Sequence, residues 1–297
     1  MPVSLHQPPL RDPFIRKQQP KNEIVSLLRF SLYYETPMNN DKRKRNTWLQ
    51  LRRVLVVLLL GVFLFSGYRL LSIRQQYMAS AKTYDQAAAR YIRPGAADPE
   101  APSPEKADLP PVRVDFDELT AANPDIIGWI FCEGTDLSYP VVFGRDNDYY
   151  LHRDYLGNYD FSGTIFSDKN NSRGFSDSNV ILYGHNMRNG TMFGMLKDWL
   201  EPSFYEQHPE IWLLTPEEDF RIELFSGYIT TADSSTYTVF HEAGPELNAY
   251  LKAAEGRSVF EADVDFDPGA CYIVLSTCSK NSEDARTVLH GKLVPAE

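Results

Sequence analysis

Three cysteines in 297 residues are too few for a disulfide scaffold or a zinc ribbon. A positive balance is missing too. The chain has 30 Lys and Arg against 40 Asp and Glu, and its net charge of −10 excludes a general nucleic-acid binder. There is no internal repeat and no evident metal-ligand cluster, so neither a metal nor a cofactor is expected. Apolar residues are not scarce. At 43% of the chain they exclude wholesale disorder, and the length accommodates one or two domains.

The charge is unevenly placed. Residues 1–53 hold 11 Lys and Arg against 4 Asp and Glu, which leaves −17 for the rest. The sign changes at residues 54–71, VLVVLLLGVFLFSGYRLL. Eighteen residues at about 1.5 Å each give roughly 27 Å, near the hydrocarbon thickness of a bilayer. Only Arg69 is charged, near one end, where it can snorkel. The run has no polar face, which disfavours a buried core helix. Lys42, Arg43, Lys44, Arg45, Arg52 and Arg53 precede it, so positive-inside places this end in the cytoplasm and the rest outside. Tyr68-Arg69-Leu70-Leu71 is a poor cleavage site, which favours an uncleaved anchor.

The expected organisation is a basic cytoplasmic segment over 1–53, a transmembrane anchor over 54–73, a helical lead-in and Pro-rich linker over 74–111, and an extracellular domain over 112–297. Residues 1–37 carry several Pro and no clear period. The stretch MNNDKRKRNTW from Met38 makes a compact cytoplasmic start, so 1–37 are expected to be an over-long start, which intact mass would decide.

Within 112–297, strand-like runs fall at 127–132, 139–143, 164–167, 179–183, 211–215, 220–230, 271–276 and 287–294, punctuated by Gly, Pro, Asn and Asp. Helical stretches are fewer: 115–123, 192–199 and 245–255, the last with Leu247, Tyr250 and Leu251 on one face. Eight short strands with few helices predict a mainly β fold, a closed or nearly closed barrel with peripheral helices.

An odd cysteine in an extracytoplasmic chain flags a reactive thiol. Cys132 and Cys271 lie in strand-like runs and read as small buried hydrophobes, with a bridge between them left open. Cys278 differs, because it stands where an apolar run ends in Leu275-Ser276-Thr277-Cys278-Ser279. A Cys nucleophile needs a proton acceptor and a group to stabilise the developing oxyanion. Among the histidines, His185 follows the strand NVILYG and precedes a polar turn, whereas His152, His208, His241 and His290 lack that setting. Arg286 opens the run after Cys278. If the two runs pair as a hairpin, both residues lie at the same end of adjacent strands.

Tyr183-Gly184-His185-Asn186, Leu275-Ser276-Thr277-Cys278 and Arg286 resemble the His, TLxTC and Arg motifs of the sortases. Further stretches resemble the class B domain: Asp125-Ile126-Ile127-Gly128-Trp129-Ile130, Gly134-Thr135, Tyr139-Pro140-Val141-Val142, Gly163-Thr164-Ile165-Phe166, Gly190-Thr191-Met192-Phe193-Gly194 and Ser203-Phe204-Tyr205. The likeness covers roughly 115–297, and the helical stretch at 245–255 lies where class B enzymes carry an extra helix. Two positions depart from the pattern. Val274 replaces the usual Thr, and the short Cys-to-Arg spacing makes the loop 279–285 compact.

The resemblance implies a sortase-like eight-stranded β-barrel and a membrane-anchored cysteine transpeptidase of Gram-positive bacteria. Cys278 would be the nucleophile, His185 the general acid and base, and Arg286 the oxyanion or substrate stabiliser. The implied partners are secreted proteins with a C-terminal, NPxTx-like sorting signal and a peptidoglycan precursor or cross-bridge amine. Asn147, Leu151, Thr231, Tyr237 and Ser276 fall on segments matching the family's substrate groove. The rivals are a pilus-polymerising sortase that uses a pilin Lys, a hydrolytic cysteine protease and a catalytically silent surface-binding module.

Overall fold

The computed structural model describes residues 38–95, 109–267, 269–278 and 285–296, with 38–42 and 278 described by their backbone. The expected over-long start at 1–37, the middle of the linker at 96–108 and the loop at 279–284 lie outside the described residues. The chain divides into two compact units, Met1–Arg69 and Leu70–Glu297.

A Pro-free stretch forms the 54-residue helix α1 (Met38–Tyr91), which stops before Pro94, as a residue preceding proline disfavours helical backbone. It is long and apolar enough to cross a membrane, and the large apolar side chains between Val54 and Leu71 are exposed. Within the second unit, the last turns of α1 pack on the barrel. Tyr84, Ala87 and Tyr91 are buried in its main core, and Tyr77 meets Phe161 edge-on at 4.9 Å. The Tyr84 hydroxyl donates to the Gly163 carbonyl and lies 3.0 Å from Thr164 Oγ1, while Ser80 bonds to Ser162. Strand β1 (Ile92–Pro94) then pairs antiparallel with β2 (Val112–Val114), closing the segment against the domain. Asp115 caps α2 (Phe116–Ala122) by accepting from the Glu118 N–H at 3.1 Å.

Eight strands follow: β3 (Ile126–Phe131), β4 (Ser138–Phe143), β5 (Ile165–Ser167), β6 (Asn179–His185), β7 (Glu210–Leu214), β8 (Phe220–Thr231), β9 (Cys271–Cys278) and β10 (Ala285–Pro295). They close into a barrel in the order β10-β8-β7-β3-β4-β5-β6-β9. Pairing is parallel at β4–β5 and β6–β9 and antiparallel elsewhere. The predicted eight-stranded barrel is thus the observed fold. The stretch predicted as helical at 192–199 is a 3-10 helix, Phe193–Leu200, followed by the short α3 (Pro202–Gln207).

The alternation along β9 shows how the barrel is lined. Ile273 and Leu275 belong to the main core, whereas Tyr272 and Val274 belong to a second cluster outside it. Helix α4 (Pro245–Glu255) covers that second cluster with Leu247, Tyr250, Leu251 and Ala254, an i, i+3, i+4, i+7 stripe. Burying each leucine contributes about 1.5–3 kcal/mol, which fixes α4 over β6, β8, β9 and β10. By period two, Ser276 continues the Val274 row.

Candidate active site

The site is built where β6, β9 and β10 adjoin. In the parallel pairing of β6 with β9, His185 and Cys278 are Cα partners. The antiparallel β9–β10 ladder begins at Val288 opposite Ser276, two residues from Arg286 and Cys278 along their strands. The strands therefore bring the backbones of His185 and Cys278 side by side, with Arg286 on the adjoining strand. Arg286 is half-buried and is the Cα partner of Thr230 on its other side.

His185 is held from two directions. Its Nε2 lies 2.7 Å from the Leu151 carbonyl oxygen, and its ring stacks on His152 with centroids 5.5 Å apart and planes 24° apart. A carbonyl only accepts, so Nε2 carries a hydrogen, and Nδ1 is the nitrogen left to gain or lose a proton. Leu151 and His152 belong to one 3-10 turn, Tyr149–His152.

Two glycines make this arrangement fit. Gly184 precedes His185 in a place where a Cβ would stand 2.5 Å from Ile165 Cδ1 and 2.7 Å from Phe193 Cγ. Gly163 has φ of +60°, and a Cβ there would lie 2.5 Å from the Leu151 carbonyl oxygen that holds His185.

The residues matched to the substrate groove fall into two groups. The Tyr237 hydroxyl lies 2.9 Å from Ser276 Oγ, and the fully buried Ser276 is two residues before Cys278 in β9. Asn147 Nδ2 donates to Asp168 Oδ2 at 3.0 Å, and its Oδ1 accepts from the Lys169 N–H at 2.8 Å. Between them stands Tyr183. Its hydroxyl donates to Asp168 Oδ2 at 2.9 Å, and its ring is 6.1 Å from that of Tyr237. Leu151 enters through its carbonyl on His185. Thr231, at the exposed end of β8, is the Cα partner of Ala285 beside Arg286, and its hydroxyl donates to Asp233 at 2.6 Å.

Asp168 and His152 are residues that sequence reasoning passed over. Asp168 sits in Ser-Asp-Lys-Asn-Asn, which reads as a turn, and His152 reads as a surface residue; neither carries a local signal of its position.

The remaining histidines and thiols have other surroundings. His290, fully buried beneath α4, places Nε2 3.0 Å from the Tyr250 hydroxyl, and burial pushes its pKa down to about 3. His241 pairs with Asp177 at 3.0 Å, and His208 packs against Phe204. Cys132 and Cys271 are free thiols, so the bridge left open by the sequence is not formed. Burial pushes the Cys132 thiol up to about 11 and raises that of Cys271 as well. Among the described residues no His, Cys, Asp and Glu group is arranged to hold a metal.

No protein-family model matches the chain. It is 32% identical over 246 residues to "Sortase B" of Listeria monocytogenes, a match spanning 82% of this chain and 97% of that protein. Among solved structures, it is similar to sortase B of Bacillus anthracis in complex with AAEK1, at 31% identity and a TM-score of 0.62, covering 74% of this chain and 99% of that one. It is also similar to the Staphylococcus aureus sortase B–substrate complex, at 33% identity and a TM-score of 0.57, covering 61% and 85%. With a barrel shared with these structures and a relative matched over nearly its whole length, the chain belongs to the class B sortases, a family of cysteine transpeptidases.

Proposed function

We propose that this sortase cleaves a C-terminal sorting signal after Thr and transfers the acylated protein to a peptidoglycan amine. The reading is supported by the pairing of His185 with Cys278 at the end of β6 and β9, beside the strand that opens with Arg286. The Cys278 thiolate attacks the Thr carbonyl, and Arg286 stabilises the oxyanion or holds the substrate backbone. The C–N bond breaks as His185 gives its Nδ1 proton to the leaving amine, which leaves a thioacyl-enzyme. An incoming amine then loses a proton to His185, attacks the thioester and releases Cys278.

The thiol requires this company. At a pKa near 8.5, only about 3% of an unperturbed thiol is thiolate at pH 7, and a neighbouring guanidinium favours the anion. That a Staphylococcus aureus sortase B has been solved as a substrate complex supports a substrate site on this fold. In the same reading, α1 anchors the enzyme in the cell membrane, with the basic N-terminus cytoplasmic and the barrel outside.

The test is mass spectrometry of the full chain in detergent with NPxTx-like peptides and a panel of amines. The expected result is a thioacyl adduct on Cys278, resolved by a peptidoglycan-type amine. A stable adduct in Cys278→Ala removes Cys278 from the reaction. Transfer to a pilin Lys peptide alone makes this a pilus-polymerising enzyme, and release that ignores every amine makes it a hydrolase.

A further inference from the structure

We infer that Asp168 is a positioning residue that sets the hydrogen-bonding polarity of one wall of the substrate groove, an inference that rests on the peptide-transfer reading above. Asp168 is 5% exposed, and every polar contact it makes through its carboxylate is as an acceptor. Oδ1 takes the Asn170 N–H at 2.8 Å, which fixes the carboxylate to its own turn. Oδ2 takes two donors from different parts of the chain, Asn147 Nδ2 at 3.0 Å and the Tyr183 hydroxyl at 2.9 Å.

The consequences follow from the donor and acceptor inventory. An ionised carboxylate only accepts, so it admits one orientation of the Asn147 amide and one of the Tyr183 hydroxyl. The Lys169 N–H, donating to Asn147 Oδ1 at 2.8 Å, enforces the same amide orientation from the other side. With its amide orientation fixed from both sides, Asn147 holds its second N–H in one set direction, and in the peptide-transfer reading that N–H is the donor this wall offers the substrate backbone. Tyr183 is two residues before His185 on the same face of β6, and its ring lies 6.1 Å from that of Tyr237. Asp168 therefore acts through residues flanking the His185–Cys278 pair, not on the reacting atoms.

Asp168→Asn preserves shape but keeps one acceptor where the carboxylate has two: with its oxygen on Asn147 and Tyr183 its NH2 meets the Asn170 N–H, and turned the other way its NH2 meets Asn147 and Tyr183. Kinetics of the full chain in detergent with a sorting peptide should show KM raised about tenfold or more with kcat within about twofold. Tyr183→Phe, which removes one of the two donors, should raise KM by less. The rate and pH profile of Cys278 alkylation should stay as in the wild type, because Cys278, His185 and Arg286 are untouched. A second arm needs no substrate. In the 15N-Asn-labelled full chain, the Asn147 side-chain amide should be slowly exchanging, and in Asp168→Asn it should shift and exchange faster. An Asn147 amide unmoved by the substitution overturns the inference, as does an amide that moves while KM does not, or a fall in kcat and alkylation together. A wild-type enzyme that turns over no sorting peptide defeats the proposed function, whatever Asn147 does.

Discussion

His185 and Cys278 stand as Cα partners at the shared end of two parallel strands, 93 positions apart in sequence. Parallel pairing demands a long crossover, and the chain uses that length to build β7, β8, β10's future partner surface and the α4 cover before returning with β9.

Substitutions of Cys278, His185 and Arg286 should fall in a definite order. Cys278→Ala should abolish adduct formation. His185→Ala should lose about 10²–10⁴ in kcat/KM, the usual contribution of a positioned acid or base. Arg286→Ala should cost about 10²–10³, as for a lost oxyanion donor, and Arg286→Lys should recover part of it, since charge returns without the planar fork. Steady-state kinetics with one peptide and one amine measure all four. An Arg286→Ala enzyme with wild-type rates would remove the guanidinium from the mechanism.

Thiol reactivity should be confined to Cys278. The buried Cys132, pushed up to about 11, holds only about 1 part in 10⁴ as thiolate at pH 7, and burial also raises Cys271. Brief treatment with iodoacetamide at pH 7 should add one group to the wild type and none to Cys278→Ala, as read by intact mass. Faster labelling of either other thiol would contradict this assignment.

Gly163→Ala should injure both stability and the site. The positive φ strains any L side chain, and the new methyl would press on the Leu151 carbonyl that holds His185 Nε2. The expected loss is about 1–3 kcal/mol of stability, seen as a lower Tm. A drop in kcat/KM measured well below Tm should accompany it. Unchanged kinetics would show that the Leu151 contact does not position His185.

His290 should make the fold acid-sensitive. Its ordinary pKa of 6.5 is lowered to about 3 by burial, with a smaller contribution from Arg257. The unfolded chain takes up this proton below about pH 6.5 and the folded chain does not until about pH 3. Stability is therefore fully present above pH 6.5 and falls with pH across that window, by at most about 1.4 kcal/mol per pH unit. Denaturant unfolding at several pH values should show a shallower decline in His290→Gln than in the wild type over this window. Parallel curves would rule out His290 as the source.

Much of the architecture was legible because its signals are local. Short runs rich in β-branched and aromatic residues between Gly, Pro, Asn and Asp mark the eight strands, and the 247, 250, 251 spacing marks the covered face of α4. Strand ends were less legible. β6 and β9 run two residues beyond the apolar stretches at 179–183 and 271–276, to His185 and Cys278, because cross-strand hydrogen bonding continues where side-chain hydrophobicity stops. The pairing of β1 with β2 has no local signature either, since three-residue strands carry too little pattern.

The sequence alone determined an apolar run long enough to cross a bilayer, a small mainly β barrel, and the thiol, imidazole and guanidinium proposed to act together. Those follow from composition, period and motif, which are properties of neighbours along the chain. The tertiary structure decided that His185 and Cys278 stand as partners, that Asp168 joins Asn147 to Tyr183, that His152 stacks on His185, and that the last turns of α1 belong to the barrel's core. Each of these depends on register between strands distant in sequence, and register is set by closing the barrel around its packed core.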